Sequence, residues 1–237
     1  MKYLIVNGDD FGASPGVTRG ILEAHSDGIL TSTSLMVDAP DSEAACAAGR
    51  VRPGWSVGLH VVFTNDAEKP IVDYGDPAAC RADLQRQLHR FDQLMQCPPT
   101  HLDSHHNVHQ DPRLLPIFLE SAQRHALPLR AHSAARYFSK FYGQWDGQTH
   151  LEQISVENLL RMLEEEVAEG VTELSCHPGY FDATSSSKSF YSIERETELS
   201  TLCDPALRRF LSERDIRLIG FRDLPAIAPP PARTLTL

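Results

Sequence analysis

Residues 101–109, His101-Leu102-Asp103-Ser104-His105-His106-Asn107-Val108-His109, hold four histidines and one aspartate. That is more imidazole than solubility or packing asks of so short a stretch, and it suits metal binding or acid–base chemistry. In an extended chain, 101, 103 and 105 share one face; in a helical turn, 105 and 109 come together instead. Asp9 and Asp10 are adjacent. Two such carboxylates repel by about 4 kcal/mol at roughly 4 Å and an effective dielectric of about 20, so a cation or proton between them is expected unless the pair sits in a solvated turn, as the nearby Gly12 allows. His60 is a polar residue in the apolar run Leu59 to Phe63, and His177 precedes Pro178-Gly179. A histidine that is not a ligand beside a metal is well placed as a general acid, because its ordinary pKa lies near neutrality.

These residues need elements to place them. Apolar runs at Tyr3–Val6, Trp55–Phe63, Thr100–Leu102, Leu127–Ala131, Val171–Ser175 and Ile216–Phe221 read as strands. Helical patterns fall between them, at Ser14–His25, Arg81–Met95, Pro112–Ala126, Val156–Glu169 and Pro205–Arg214. The first of these has a serine cap, Pro15 in its first turn and apolar residues at Val17, Ile21, Leu22 and Ala24. Strands alternating with helices predict an α/β fold with a mostly parallel sheet, open or closed into a barrel. Asp9-Asp10, His60 at the end of the run Trp55–Leu59, the 101–105 cluster and His177 all fall at the ends of predicted strands. The C-terminal strand ends of such folds form the site.

Composition sets the limits. The 237 residues, 41% hydrophobic and 23% charged, describe an ordinary folded chain. A formal net charge of -10 disfavours a nucleic-acid partner, since binding to phosphates relies on Lys and Arg. The N-terminal apolar run is too short for a signal peptide and no stretch is long enough to span a bilayer, so a cytoplasmic protein with no membrane partner is expected. Five cysteines form no CxxC pair. Cys176, beside His177, reads as small buried filler rather than a nucleophile. The Pro-rich end, residues 228–237, reads as an extended tail on one 237-residue domain.

Several stretches together resemble the YdjC-like carbohydrate deacetylase family, which includes chitooligosaccharide deacetylases. They are Leu4-Ile5-Val6-Asn7-Gly8-Asp9-Asp10-Phe11-Gly12, Gly28 to Met36, Gly58-Leu59-His60, Thr100 to His109, Cys176-His177-Pro178, Thr197-Glu198-Leu199 and Arg217 to Asp223, in family order along nearly the whole chain. The resemblance implies an irregular, incomplete (β/α) barrel, TIM-barrel-like, that removes acetyl groups from N-acetylated carbohydrates. It implies one divalent metal ion held by Asp10, His60 and His105, with Asp9 as base, His177 as acid and Arg130 supporting Asp9. Magnesium is the family's customary ion, whereas one carboxylate and two imidazoles also suit zinc. Three protein ligands leave positions open for water and the acetyl oxygen. His101, Asp103, His106 and His109 are then expected to orient ligands or line the sugar pocket. Tyr180, Phe181, Phe190 and Tyr191 are placed to stack on a sugar or to pack the core.

Two departures bear on the sugar: Asn107 stands where many relatives have histidine, and the connection from Thr64 to Cys80 is shorter than in the chitooligosaccharide enzymes. Two other readings compete. A metal-dependent phosphoesterase would hold two or more ions; a non-catalytic sugar- or metal-binding protein would not need Asp9 and His177. A homodimer is expected only because such dimers are common.

Overall fold

The computed structural model describes residues 1–181 and 191–228. Strands and helices alternate as β1 (Lys2–Phe11), α1 (Pro15–Ser26), β2 (Ser32–Leu35), α2 (Ser42–Arg50), β3 (Ser56–Val61), α3 (Pro77–Met95), β4 (Leu102–Ser104) and α4 (Leu115–His125). Then come β5 (Ala135–Phe138), the two short strands β6 (Gln144–Trp145) and β7 (Gln148–Thr149), α5 (Val156–Glu166), β8 (Gly170–Cys176), α6 (Ile193–Leu202), α7 (Pro205–Glu213), β9 (Ile216–Leu218) and α8 (Leu224–Ile227).

The main sheet runs β4-β3-β2-β1-β8-β5 with every pairing parallel, and β9 joins the N-terminal half of β1. Between its two ends the chain itself spans the gap. Leu129 bridges to Leu102 of β4, and a few residues later β5 pairs with β8. The result is the irregular, incomplete barrel, curled and wrapped by helices. The expected strand at Leu127–Ala131 is thus a single bridge, and the regular strand on that side is β5.

Helix starts follow local chemistry. Ser14 Oγ accepts from Val17 N at 3.3 Å with Pro15 in the first turn of α1; Asp76 caps α3 before Pro77, and Asp204 caps α7 before Pro205. β2 and α6 escape an apolar-run reading because polar groups are buried in them. In β2, Thr33 Oγ1 donates to Gly8 O at 2.6 Å, Ser34 Oγ faces His60 Nδ1 at 3.2 Å, and Ser32 Oγ accepts from Phe221 N at 3.2 Å. In α6, Glu194 and Glu198 are buried and break the apolar period. The β6–β7 hairpin turns on Asp146 and Gly147, both with positive φ, a turn signal carried by the Asp-Gly pair.

Strand alternation divides β1. Leu4 and Val6 join the large core under the helices, whereas Ile5 joins Ala135, Val171, Phe221 and Leu224 inside the barrel. Going up the same inward face, Ile5 is followed by Asn7 and Asp9. The barrel interior therefore passes from apolar to polar toward the C-terminal strand ends. The Pro-rich end lies, apart from Ala228, outside the described residues.

Candidate active site

Adjacent strand residues point to opposite faces, yet Asp9 and Asp10 both line one cavity. A register irregularity between Gly8 and Phe11 reverses the alternation, and Asp10 takes φ +67, a left-handed conformation that aspartate tolerates better than most residues. Asp10 Oδ1 then lies 3.3 Å from His60 Nε2 and 3.2 Å from His105 Nδ1. The register sets His60 of β3 opposite Asp103 of β4, so His60 Nδ1 and Asp103 Oδ1 meet at 2.8 Å and the ring is fixed with Nε2 toward Asp10.

A second group of possible ligands, Asp9, His60 and Asp103, already has a cation. Arg130, fully buried, donates from Nη1 and Nη2 to both oxygens of Asp9 at 2.7 Å, places Nη2 2.9 Å from Asp103 Oδ2, and donates from Nε to Glu173 Oε1 at 2.7 Å. Burial alone would raise the Asp9 and Asp103 carboxyls; the guanidinium outweighs it and holds both below the usual carboxylate range. For Glu173, burial wins and its pKa rises to about 7.

His177, at the end of β8, sets Nε2 3.9 Å from Asp9 Oδ2 and Nδ1 3.9 Å from Glu198 Oε1. Burial opposes its charge, but the Glu198 carboxylate facing it raises its pKa above the ordinary value. Glu198 is itself held by the Tyr191 hydroxyl and by the backbone N–H of His177. For His60, burial is outweighed by Asp103 and Asp10, and its pKa is about 10 with no ion beside it.

The cavity, of about 940 Å³, also takes in Ser104, His106, Asn107, Tyr137, Tyr142, Tyr191 and Arg195, with Asp66 and Glu68 on one wall and Gln144, Gly147 and Thr149 of the hairpin on another. His106 and Asn107 adopt left-handed conformations, which turn the chain after His105: His106 Nδ1 meets Thr64 Oγ1 at 2.8 Å, and Asn107 Nδ2 donates to the Tyr137 hydroxyl at 3.4 Å. The helical alternative that would pair His105 with His109 is not what forms. His109 turns to Ser104, Nδ1 to Oγ at 2.7 Å, and is buried.

Several residues expected around the sugar stand elsewhere. His101 stacks on Phe221, ring centroids 3.9 Å apart, at the apolar end of the barrel, where a Cβ on Gly58 would lie 2.5 Å from its ring. Tyr180 packs on α1, its hydroxyl donating to Glu23 Oε2 at 2.6 Å and its ring under Arg19. Phe181 is exposed and is not in the cavity wall; Phe190 lies outside the described residues. In their place the wall offers Tyr142, stacked on Tyr191 with centroids 4.7 Å apart. Cys176 is buried, its thiol donating to Asn7 O. Sequence reasoning missed Glu173, Tyr137, Tyr142 and Arg195. Glu173 and Tyr137 occupy inward positions of β8 and β5, and register counting on β8 from His177 finds the first of them.

The donor set fits a divalent ion. One carboxylate and two imidazoles converge, and His60 has its second nitrogen anchored by a carboxylate. Among the described residues no helix is long and apolar enough to cross a membrane.

The model of the YdjC-like protein family matches residues 3–213. A carbohydrate deacetylase of Geobacillus stearothermophilus is 37% identical, covering 94% of this chain and 98% of the relative. A chitooligosaccharide deacetylase of Serratia marcescens is 34% identical, covering 94% and 99%. Among solved structures, a protein of Enterococcus faecalis superposes with a TM-score of 0.81 at 28% identity over 94% of this chain and 98% of that one. The catalytic domain of a peptidoglycan N-acetylglucosamine deacetylase from Eubacterium rectale shares the fold at a TM-score of 0.60 and 13% identity, covering 92% and 88%.

Proposed function

The chain belongs to the YdjC-like protein family, and from that premise we propose that it is a metal-dependent carbohydrate deacetylase that hydrolyses the acetamido group of an N-acetylated amino sugar of the chitooligosaccharide class. The observation that carries the reading is the placement of the Asp9–His177 pair beside the Asp10–His60–His105 donor set in one cavity.

Asp10, His60 and His105 would hold one divalent ion, which when bound supplies a Lewis acid for the acetyl carbonyl and for water. Asp9, kept ionised by Arg130, accepts the proton of the attacking water as its oxygen bonds to the carbonyl carbon. His177, whose protonated form the facing Glu198 carboxylate favours, donates to the amide nitrogen as the C–N bond breaks. Acetic acid, which ionises to acetate, and the free sugar amine leave, and the proton gained by Asp9 balances the one given by His177. Glu173 and Asp103 hold Arg130, so the guanidinium meets Asp9 through both terminal nitrogens. Tyr142 offers an exposed ring beside His177 for a sugar face. The cavity exceeds what one sugar ring needs, which supports an oligosaccharide.

Arg130 also weighs against the phosphoesterase reading, since its guanidinium fills the second group of donors where a second ion would bind. Acetate release from N-acetylglucosamine and short chitooligosaccharides, with metal-stripped and reconstituted protein, tests the proposal. Metal-dependent release supports it; no release with any divalent ion, together with hydrolysis of phosphate esters, refutes it.

A further inference from the structure

Asp10 divides its two oxygens between different partners. Oδ1 faces His60 Nε2 and His105 Nδ1, while Oδ2 accepts from Arg195 Nη2 at 2.5 Å. The guanidinium is itself fixed. Nη1 donates to the carbonyl of His177 at 3.2 Å, the Tyr191 ring lies 5.9 Å from Cζ, and the side chain is only 12% exposed. Gly179 admits this packing, because a Cβ there would lie 3.2 Å from Arg195 Cδ. Asp10 is thus delivered by an unusual backbone conformation and gripped at its far oxygen.

A carboxylate with both oxygens free can ligate a cation through both, and each oxygen so used removes a coordination position from water or substrate. Resting on the ligand set proposed above, we propose that Arg195 is a positioning residue that confines Asp10 to ligation through Oδ1, keeping coordination positions open for water and the acetyl oxygen, and that ties this ligand to the turn carrying His177. The assignment depends on which oxygen each partner takes. A guanidinium that merely balanced the charge of Asp10 could bind either or both oxygens; Arg195 takes the one facing away from the imidazoles.

Co²⁺ is the probe, because its visible absorption weakens as coordination number rises. Metal-stripped native protein and the Arg195→Met, Arg195→Lys and Asp10→Asn variants are titrated with Co²⁺, and kcat and KM are measured on one N-acetylated oligosaccharide. Circular dichroism confirms that each variant is folded. In Arg195→Met the absorption is expected to weaken and kcat to fall about 10-fold or more, with KM changing far less. Arg195→Lys, which keeps a cationic donor for Oδ2, is expected to lie closer to native in both. A native spectrum and native kcat in Arg195→Met overturn the proposal, as does a lysine variant no better than the methionine one. Native-like Co²⁺ binding by Asp10→Asn instead marks failure of the ligand assignment itself, whatever the Arg195 variants show.

Discussion

His60 and His101 are both buried inside one barrel, and the barrel treats them in opposite ways. His101 sits at the N-terminal end, stacked on Phe221 in the region of Ile5, Val171 and Ala135. There burial dominates, Asp103 compensates only in part, and its pKa falls to about 4. His60 sits toward the C-terminal strand ends between Asp103 and Asp10, and its pKa rises to about 10. The lower region excludes charge and fills space; the upper region concentrates buried charge and compensates it with Arg130 and Arg195. A divalent ion added to the upper region meets carboxylates already arranged for a cation, whereas the described residues that cluster in the lower region, Ile5, Ala135, Val171, Phe221 and Leu224, are apolar.

The sharpest break in this comparison is His60→Ala, which should abolish both ion binding and turnover while leaving the fold intact, as metal analysis and acetate release would report. Phe221→Ala should do the reverse. It empties the lower region at a cost of about 3–5 kcal/mol in stability, read from denaturant unfolding, while turnover per folded molecule stays near native. Retained stability there, or turnover lost in step with it, would merge the two regions.

Asp103→Asn probes the support of the upper region, since one carboxylate orients His60 and shares Arg130. Metal affinity should drop by about 10–100-fold in competition titrations. The smallest expected effect is a displacement along the pH axis. In the proposed mechanism His177 acts in its protonated form, and Glu198 raises its pKa above the ordinary value, so activity should persist until pH climbs past that raised pKa. Glu198→Gln removes the stabilising charge, lowers the pKa of His177, and should move the alkaline limb of the kcat/KM profile to lower pH. An unmoved limb would detach Glu198 from the acid.

Much of the upper region was legible because motif residues lie at the C-terminal ends of apolar strands: Asp9 and Asp10 in β1, His60 in β3, His105 just after β4 and His177 just after β8. Of the chain-spanning pairings, that of Arg130 with Asp9 was implied by the family resemblance, whereas that of Arg195 with Asp10 was not. Arg195 lies on α6, whose buried Glu194 and Glu198 hide the helix from a periodicity argument. Histidine count alone also misled at His101, which packs on Phe221 at the apolar end of the barrel, and at His109, whose ring turns back to Ser104, because an imidazole can pack or hydrogen-bond as readily as it ligates. Tyr180 follows the His-Pro-Gly turn closely in sequence, but that turn carries it back onto α1.

In the proposed mechanism two adjacent aspartates do separate work, Asp10 holding the ion and Asp9 moving the proton. Metal content and acetate release measured together on Asp9→Asn test it most directly. One ion per chain, the same content as in the native protein measured alongside, is expected, with turnover reduced by about 10²–10⁴-fold. Native turnover in that variant, or loss of the ion along with the activity, would contradict it.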